Sequence, residues 1–213
     1  ASDVYKRQVL EVNGLEVGYY YPLLPKMKFE VCNGEKLVIT GFNGIGKSTL
    51  LKTLMGEIPA LSGCFRFSDV IKKIGYYEQD LKWENPEATP LAIMQQGFLD
   101  LNQKQLRKHL ADCGIRKEHV MQEISTLSGG EQAKVKLCKL VLTPCNILIL
   151  DEPTNHLDAD TKEELRKALR EYDGTVILVS HEVSFYKDLA TRVVSIENLC
   201  ICLLYTSPSP RDR

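Results

Sequence analysis

No stretch of eighteen consecutive apolar residues occurs in the sequence, so no segment is long enough to cross a bilayer as a helix. A surplus of either charge is also missing. Lys plus Arg number 27 and Asp plus Glu 28, a net charge of −1, which excludes bulk electrostatic capture of nucleic acid or a membrane surface and leaves only local patches. The seven cysteines make no CxxC pair, and none stands at zinc-finger spacing from a histidine, so they point to neither a zinc site nor a disulfide framework. Buried, reduced thiols are expected instead. No charged-then-apolar leader opens the chain, so no secretory signal is expected. What is present is an ordinary globular composition: 213 residues, 44% hydrophobic and 26% charged, enough for a large core without covalent staples.

The two ends stand apart from the rest. Asp3–Gln8 and Cys202–Ser207 can be encoded by opposite strands of one DNA segment, read one base out of frame. Both flanks are similar to translated sequencing adapter. Ala1–Gln8 and Cys202–Arg213 are therefore expected to lie outside the fold, with Val9–Ile201 as one domain.

Within that domain, β-branched runs bounded by Gly, Asn and Pro predict strands at Leu10–Tyr19, Lys28–Val31, Lys36–Gly41, Gly63–Phe67 and Lys73–Gln79. A helix is predicted over Lys47–Met55. Residues 85–130 read as a helical lobe, with helical runs at Leu91–Gln96 and Lys104–Ala111. Asn146–Leu150 and Thr175–Ser180 are continuous apolar runs, as in strands buried on both faces. Between them Leu165, Ala168, Leu169 and Tyr172 mark one helix face. A last strand is predicted at Arg192–Ile196. Alternating strands and helices argue α/β with a mostly parallel sheet, to which an early β lobe and the helical lobe are appended.

Three motifs carry chemistry. GFNGIGKST follows a strand and opens a helix, the phosphate-loop pattern in the context that supports it. Its members Gly41, Phe42, Asn43, Gly44, Ile45, Gly46, Lys47, Ser48 and Thr49 would wrap a phosphate cluster with backbone N–H groups and a helix N-terminus. Lys47 would reach the β- and γ-phosphates, and Ser48 would ligate Mg²⁺. ILILDEPTNHLD then ends a strand in two carboxylates. Asp151 suits the Mg²⁺ role, and Glu152 is placed to deprotonate an attacking water. In LSGGEQ, Ser128 can cap the next helix while Gly129 and Gly130 leave its first N–H groups open, a second anion site.

Taken in this order, GFNGIGKST, LSGGEQ and LDEPTNHLD resemble the ATP-binding cassette ATPases, and the resemblance covers essentially all of Val9–Ile201. It implies the P-loop NTPase cassette fold, ATP and Mg²⁺ as ligands, and hydrolysis of ATP to ADP and phosphate. It also implies that Gln79 senses Mg²⁺ and the attacking water, and that His181 contacts the γ-phosphate. Tyr19 would stack on adenine, with Tyr20 and Tyr21 as close rivals. Asp158 would face a partner cassette. In this family two cassettes sandwich two ATPs head to tail. Ser128, Gly129, Gly130 and Glu131 would then meet ATP held by a second cassette, on the same full-length chain or in a homodimer. A lone cassette is expected to bind ATP and hydrolyse it poorly.

NHLD after DEPT, and the run from LSGGEQ to GTVILVSH, are most similar to the C-terminal cassette of the ABC-F subfamily. That resemblance implies a cytoplasmic protein with the ribosome and tRNA as partners, acting in translation regulation or antibiotic resistance. At the histidine the sequence departs from the subfamily's SHDR-x-F: it reads SHEVSFY, which puts in doubt any contact made by that Arg. The alternative is the nucleotide-binding subunit of an ABC transporter, which would share every catalytic residue. Lys104, Arg107, Lys108, Arg116 and Lys117 are read as a solvated helix face rather than an RNA-facing patch, because Asp112 and Glu118 interrupt them.

Overall fold

The computed structural model describes residues 7–201. A five-stranded sheet forms its centre: β3 (Lys36–Thr40), β5 (Ile74–Tyr77), β6 (Ile147–Asp151), β7 (Thr175–Val179) and β8 (Arg192–Ser195). The strands lie in the order β5-β6-β7-β3-β8, and every pairing is parallel. A second, antiparallel sheet has the order β2-β1-β4, from β1 (Gln8–Glu16), β2 (Met27–Cys32) and β4 (Ser62–Phe67).

Period-two alternation explains the continuous apolar runs. Ile147 and Ile149 of β6 face one cluster, shared with Leu50, Leu51 and Leu54 of α1 (Lys47–Leu54) and with Leu10 and Val12 of the antiparallel sheet. Leu148 and Leu150 face the other, with Leu137 of α4 (Gly129–Leu142) and Leu165 and Leu169 of α5 (Ala159–Glu171). All five residues of β6 and of β7 are buried, as a parallel sheet covered on both faces requires. Burial of each such Leu or Ile contributes about 1.5–3 kcal/mol before entropy is counted.

The helical lobe has its own core. It packs Leu91 and Met94 of α2 (Pro90–Gly97) and Leu106 and Leu110 of α3 (Gln103–Asp112) against Val135 and Cys138 of α4. The lobe thus takes side chains from beyond residue 130. Its helices begin where local chemistry dictates. Thr89 caps α2, with Pro90 in the first turn, and Asn102 and Gln105 make a reciprocal capping box on α3. α6 (Val183–Tyr186) is a single turn.

Three expectations need correction. The first strand ends at Glu16, and Tyr19 belongs to a turn closed by the Gly18–Pro22 bridge. Cys138 alone among the described cysteines is buried. Cys64 is exposed because it stands in register with Asn13 and Lys28 on the outward face of the antiparallel sheet. Gln8, placed outside the fold from the sequence, opens β1 and pairs with Cys32. The remaining adapter-like residues, 1–6 and 202–213, lie outside the described residues, apart from Arg7, whose carbonyl accepts from the Asn33 N–H.

Candidate functional site

The loop between β3 and α1 carries the phosphate-loop motif at the C-terminal edge of the parallel sheet. Gly46 caps α1 with φ 117, a backbone conformation that L side chains rarely adopt. Lys47 is buried, and its ammonium donates to the carbonyls of Gly41 at 2.7 Å and Phe42 at 2.9 Å, so it spans the loop from inside. Asn43, Gly44, Gly46, Lys47, Ser48 and Thr49 line a cleft of about 270 Å³ together with Gln79, Asp151 and Glu152. Three separate stretches of sequence therefore meet there. Gln79 arrives from the end of β5 and the two carboxylates from the end of β6.

Asp151 is 1% exposed, and its Oδ1 has no hydrogen-bond partner. Burial pushes its carboxyl above the usual carboxylate range, while the Ser48 hydroxyl bonds to it and opposes the shift. A buried carboxylate with one uncommitted oxygen beside a hydroxyl offers hard oxygen donors that fit Mg²⁺. Among the described residues no group of three or more His, Cys, Asp or Glu could hold a metal.

Glu152 adopts φ 46, unusual for a residue with a side chain, and its N–H bonds the Val179 carbonyl at 2.9 Å. This turns its carboxylate toward His181, which follows β7, and the ring Nδ1 lies 2.9 Å from Oε1 and from Oε2. Leu23 and Leu24, just after the tyrosine turn, sit against the phosphate loop, since a Cβ added at Gly46 would lie 3.4 Å from Leu23 Cβ. Tyr19, Tyr20 and Tyr21 are all exposed.

Ser128, Gly129, Gly130 and Glu131 are absent from the cleft lining. They form the start of α4, where Ser128 and Glu131 make a reciprocal capping box and the Glu131 carboxylate meets His119. Gly130 has no room for a side chain: an added Cβ would come within 2.7 Å of the His156 carbonyl. Asp158 caps α5 and pairs with Lys134 at 3.0 Å, so its partners here are within the chain. Sequence reasoning passed over Trp83, whose indole donates to Gln132 at 2.9 Å. The signal available was that Gln132 ends the LSGGEQ motif and Trp83 is the single tryptophan of the chain.

A family model described as "ABC transporter" matches residues 24–155. The chain belongs to that family. The cassette is 45% identical to the uncharacterized ABC transporter ATP-binding protein YfmM of Bacillus subtilis, over 89% of this chain and 36% of that protein. It is 36% identical to ABC transporter F family member 5 of Arabidopsis thaliana, over 92% of this chain and 28% of that one. The chain thus spans well under half the length of these relatives, which place it with ABC-F-type ATP-binding cassettes. The dimeric structure of the bacterial ABC transporter cassette MJ0796 matches the fold with TM-score 0.75 at 20% identity, covering 87% of this chain and 93% of that one. The cassette fold expected from the motifs, a parallel core with an antiparallel β lobe and a helical lobe, is the fold found.

Proposed function

We infer that this cassette binds ATP in the cleft and hydrolyses it when paired head to tail with a second cassette. The observation that carries the reading is the junction of Lys47, Ser48, Asp151 and Glu152 in one cleft, with His181 on Glu152. Lys47 exchanges its carbonyl bonds for phosphate oxygens. Backbone N–H groups of Asn43–Thr49 hold the phosphates at the helix N-terminus. Ser48 and Asp151 would hold Mg²⁺, and the ion would supply charge neutralisation. Glu152 accepts the proton of the attacking water, and Gln79 orients that water. His181, fixed through Nδ1, offers Nε2 to the γ-phosphate. Tyr19 stacks on adenine. Ser128, Gly129, Gly130 and Glu131 complete the site on the opposite cassette.

Pairing is supported by the dimeric MJ0796 cassette and by its post-hydrolysis dimer bound to ADP and Pi. The F-family name of one relative supports the ABC-F placement, and on that placement we read Val9–Ile201 as the C-terminal cassette domain of a cytoplasmic protein that acts on the ribosome, with tRNA nearby. No helix among the described residues is long and apolar enough to cross a membrane. Lys104, Arg107, Lys108, Arg116 and Lys117 are exposed on the helical lobe, and Lys108 pairs with Asp112 one turn away, which favours the solvated-face reading. The transporter-subunit alternative keeps the same cleft.

The deciding experiment measures phosphate release against protein concentration. Specific activity that climbs with concentration supports pairing; fast turnover independent of concentration overturns it. Cosedimentation of the full-length protein with ribosomes then separates the ABC-F reading from the transporter one.

A further inference from the structure

Gln132 lies one turn into α4, four residues after Ser128, and its N–H bonds the Ser128 carbonyl at 2.9 Å. The side-chain amide works in two directions. Nε2 donates to the Leu127 carbonyl at 3.0 Å, and Oε1 accepts the Trp83 indole N–H at 2.9 Å. Trp83 lies four residues beyond Gln79, on the segment that leads from β5 into the helical lobe. One turn further along the same face of α4, the Lys136 ammonium donates to the Asp80 carbonyl at 2.7 Å and stands over the Tyr77 ring. One helix thus grips the chain just past Gln79 at two points. That helix begins at Ser128 and Gly129. Leu81, between the two grips, approaches within 3.9 Å of where a Gly129 Cβ would stand.

The residue type fits the task. A primary amide carries a donor and an acceptor, so it serves Leu127 and Trp83 at the same time. Glu would keep the acceptor toward the indole but set a carboxylate against the Leu127 carbonyl. Leu would fill the space and make neither bond.

We propose that Gln132 is a positioning residue which, through Trp83, ties the placement of Gln79 in the phosphate cleft to that of Ser128 and Gly129 at the start of α4. The proposal rests on the ATP reading above. In a head-to-tail pair, Gln79 and Ser128 of one cassette address different ATP molecules. The Gln132 amide makes the filling of one site felt at the other.

Trp83 reports on this directly, because no other tryptophan contributes to the emission. The test excites the full chain on the red edge, where its tyrosines do not absorb, and titrates ATP with Mg²⁺. The wild-type chain should change its Trp83 emission on saturation. Gln132→Leu should start from a more solvent-exposed emission and lose most of the ATP response, while its affinity for a fluorescent ATP analogue stays within about threefold. A merely structural role would lower the melting temperature and leave the response intact.

A wild-type response in Gln132→Leu overturns the proposal. Should that variant fail to fold, Gln132→Glu carries the test. It keeps the indole bond and the Trp83 response, yet should lower kcat by about tenfold with KM within about twofold, a loss confined to the reacting state. Unchanged kcat in Gln132→Glu also overturns the link. Failure of the ATP reading looks different: the analogue would then not bind the wild-type chain, or would bind Lys47→Ala equally well.

Discussion

The His181 ring sits on the Glu152 carboxylate, its Nδ1 2.9 Å from each oxygen. The two residues come from the ends of neighbouring parallel strands, β6 and β7, whose pairing sets their spacing. A carboxylate held this way is oriented before substrate arrives. That is the property a general base needs, and it costs no reorganisation at the moment of reaction.

Glu152→Gln should therefore keep ATP binding and slow hydrolysis by about 10²–10⁴-fold. Retained radiolabelled ATP on a filter, set against phosphate release, reads both quantities. Phosphate release at the wild-type rate would remove Glu152 from the role of base.

Lys47→Ala removes the cation that spans the phosphate loop. ATP affinity should fall at least about tenfold, equivalent to roughly 1.4 kcal/mol. Equilibrium titration with the fluorescent analogue measures it. An unchanged affinity would mean that the cleft is not where phosphate binds.

Asp151→Asn tests the cost of burying a carboxylate. The Asp151 pKa is raised in the folded chain, chiefly by burial, so its ionised form opposes folding. The neutral variant should melt about 2–4 °C higher near pH 7, on the order of 1 kcal/mol. That advantage should shrink as pH falls through the raised folded value toward the unfolded one, because both chains are then neutral at this position. Melting curves across pH check it. The same variant should lose Mg²⁺-dependent ATP binding.

Asp158 behaves in the opposite sense. The Thr161 N–H, the Thr161 hydroxyl and Lys134 hold its pKa down at about 2. Its contribution is complete above the unfolded carboxylate value and fades as pH falls toward 2. The group is largely exposed and solvent screens its Lys134 pair, so the cap carries most of the contribution. Asp158→Ala should cost about 1 kcal/mol at neutral pH, and Asp158→Asn, which keeps the cap, much less. Thermal melts of the two variants separate the cap from the charge.

Among the exposed tyrosines, Tyr19→Ala should weaken ATP by about 1–3 kcal/mol, the worth of one stacked base, with Tyr20→Ala and Tyr21→Ala near neutral. Should Tyr20→Ala give the loss instead, the stacking assignment moves by one residue.

Most of the cleft was legible because its parts are local. A phosphate loop is one strand, one loop and one helix, and Gly41–Thr49 spells all three. Asp151 and Glu152 announced themselves as charges ending an apolar run. What the sequence hid was relative placement. Nothing in SHEVSFY says that His181 lands on Glu152; that follows from the parallel register of β6 and β7. Nothing says that Trp83 meets Gln132 across 49 residues, because a hydrogen bond between segments far apart in sequence leaves no periodic trace. The tyrosine turn was read as strand because Leu10–Tyr19 keeps β-branched alternation up to the point where the chain bends at Gly18.

The left-handed backbone at Glu152 has an evolutionary side. A side chain in that conformation costs about 1 kcal/mol or more, which glycine would recover. Random variants screened for heat resistance alone should accumulate glycine at position 152 and pass the screen. On the proposed reading each would have given up its general base for an easier backbone, so a thermostability campaign on this scaffold has to keep a functional assay in the loop.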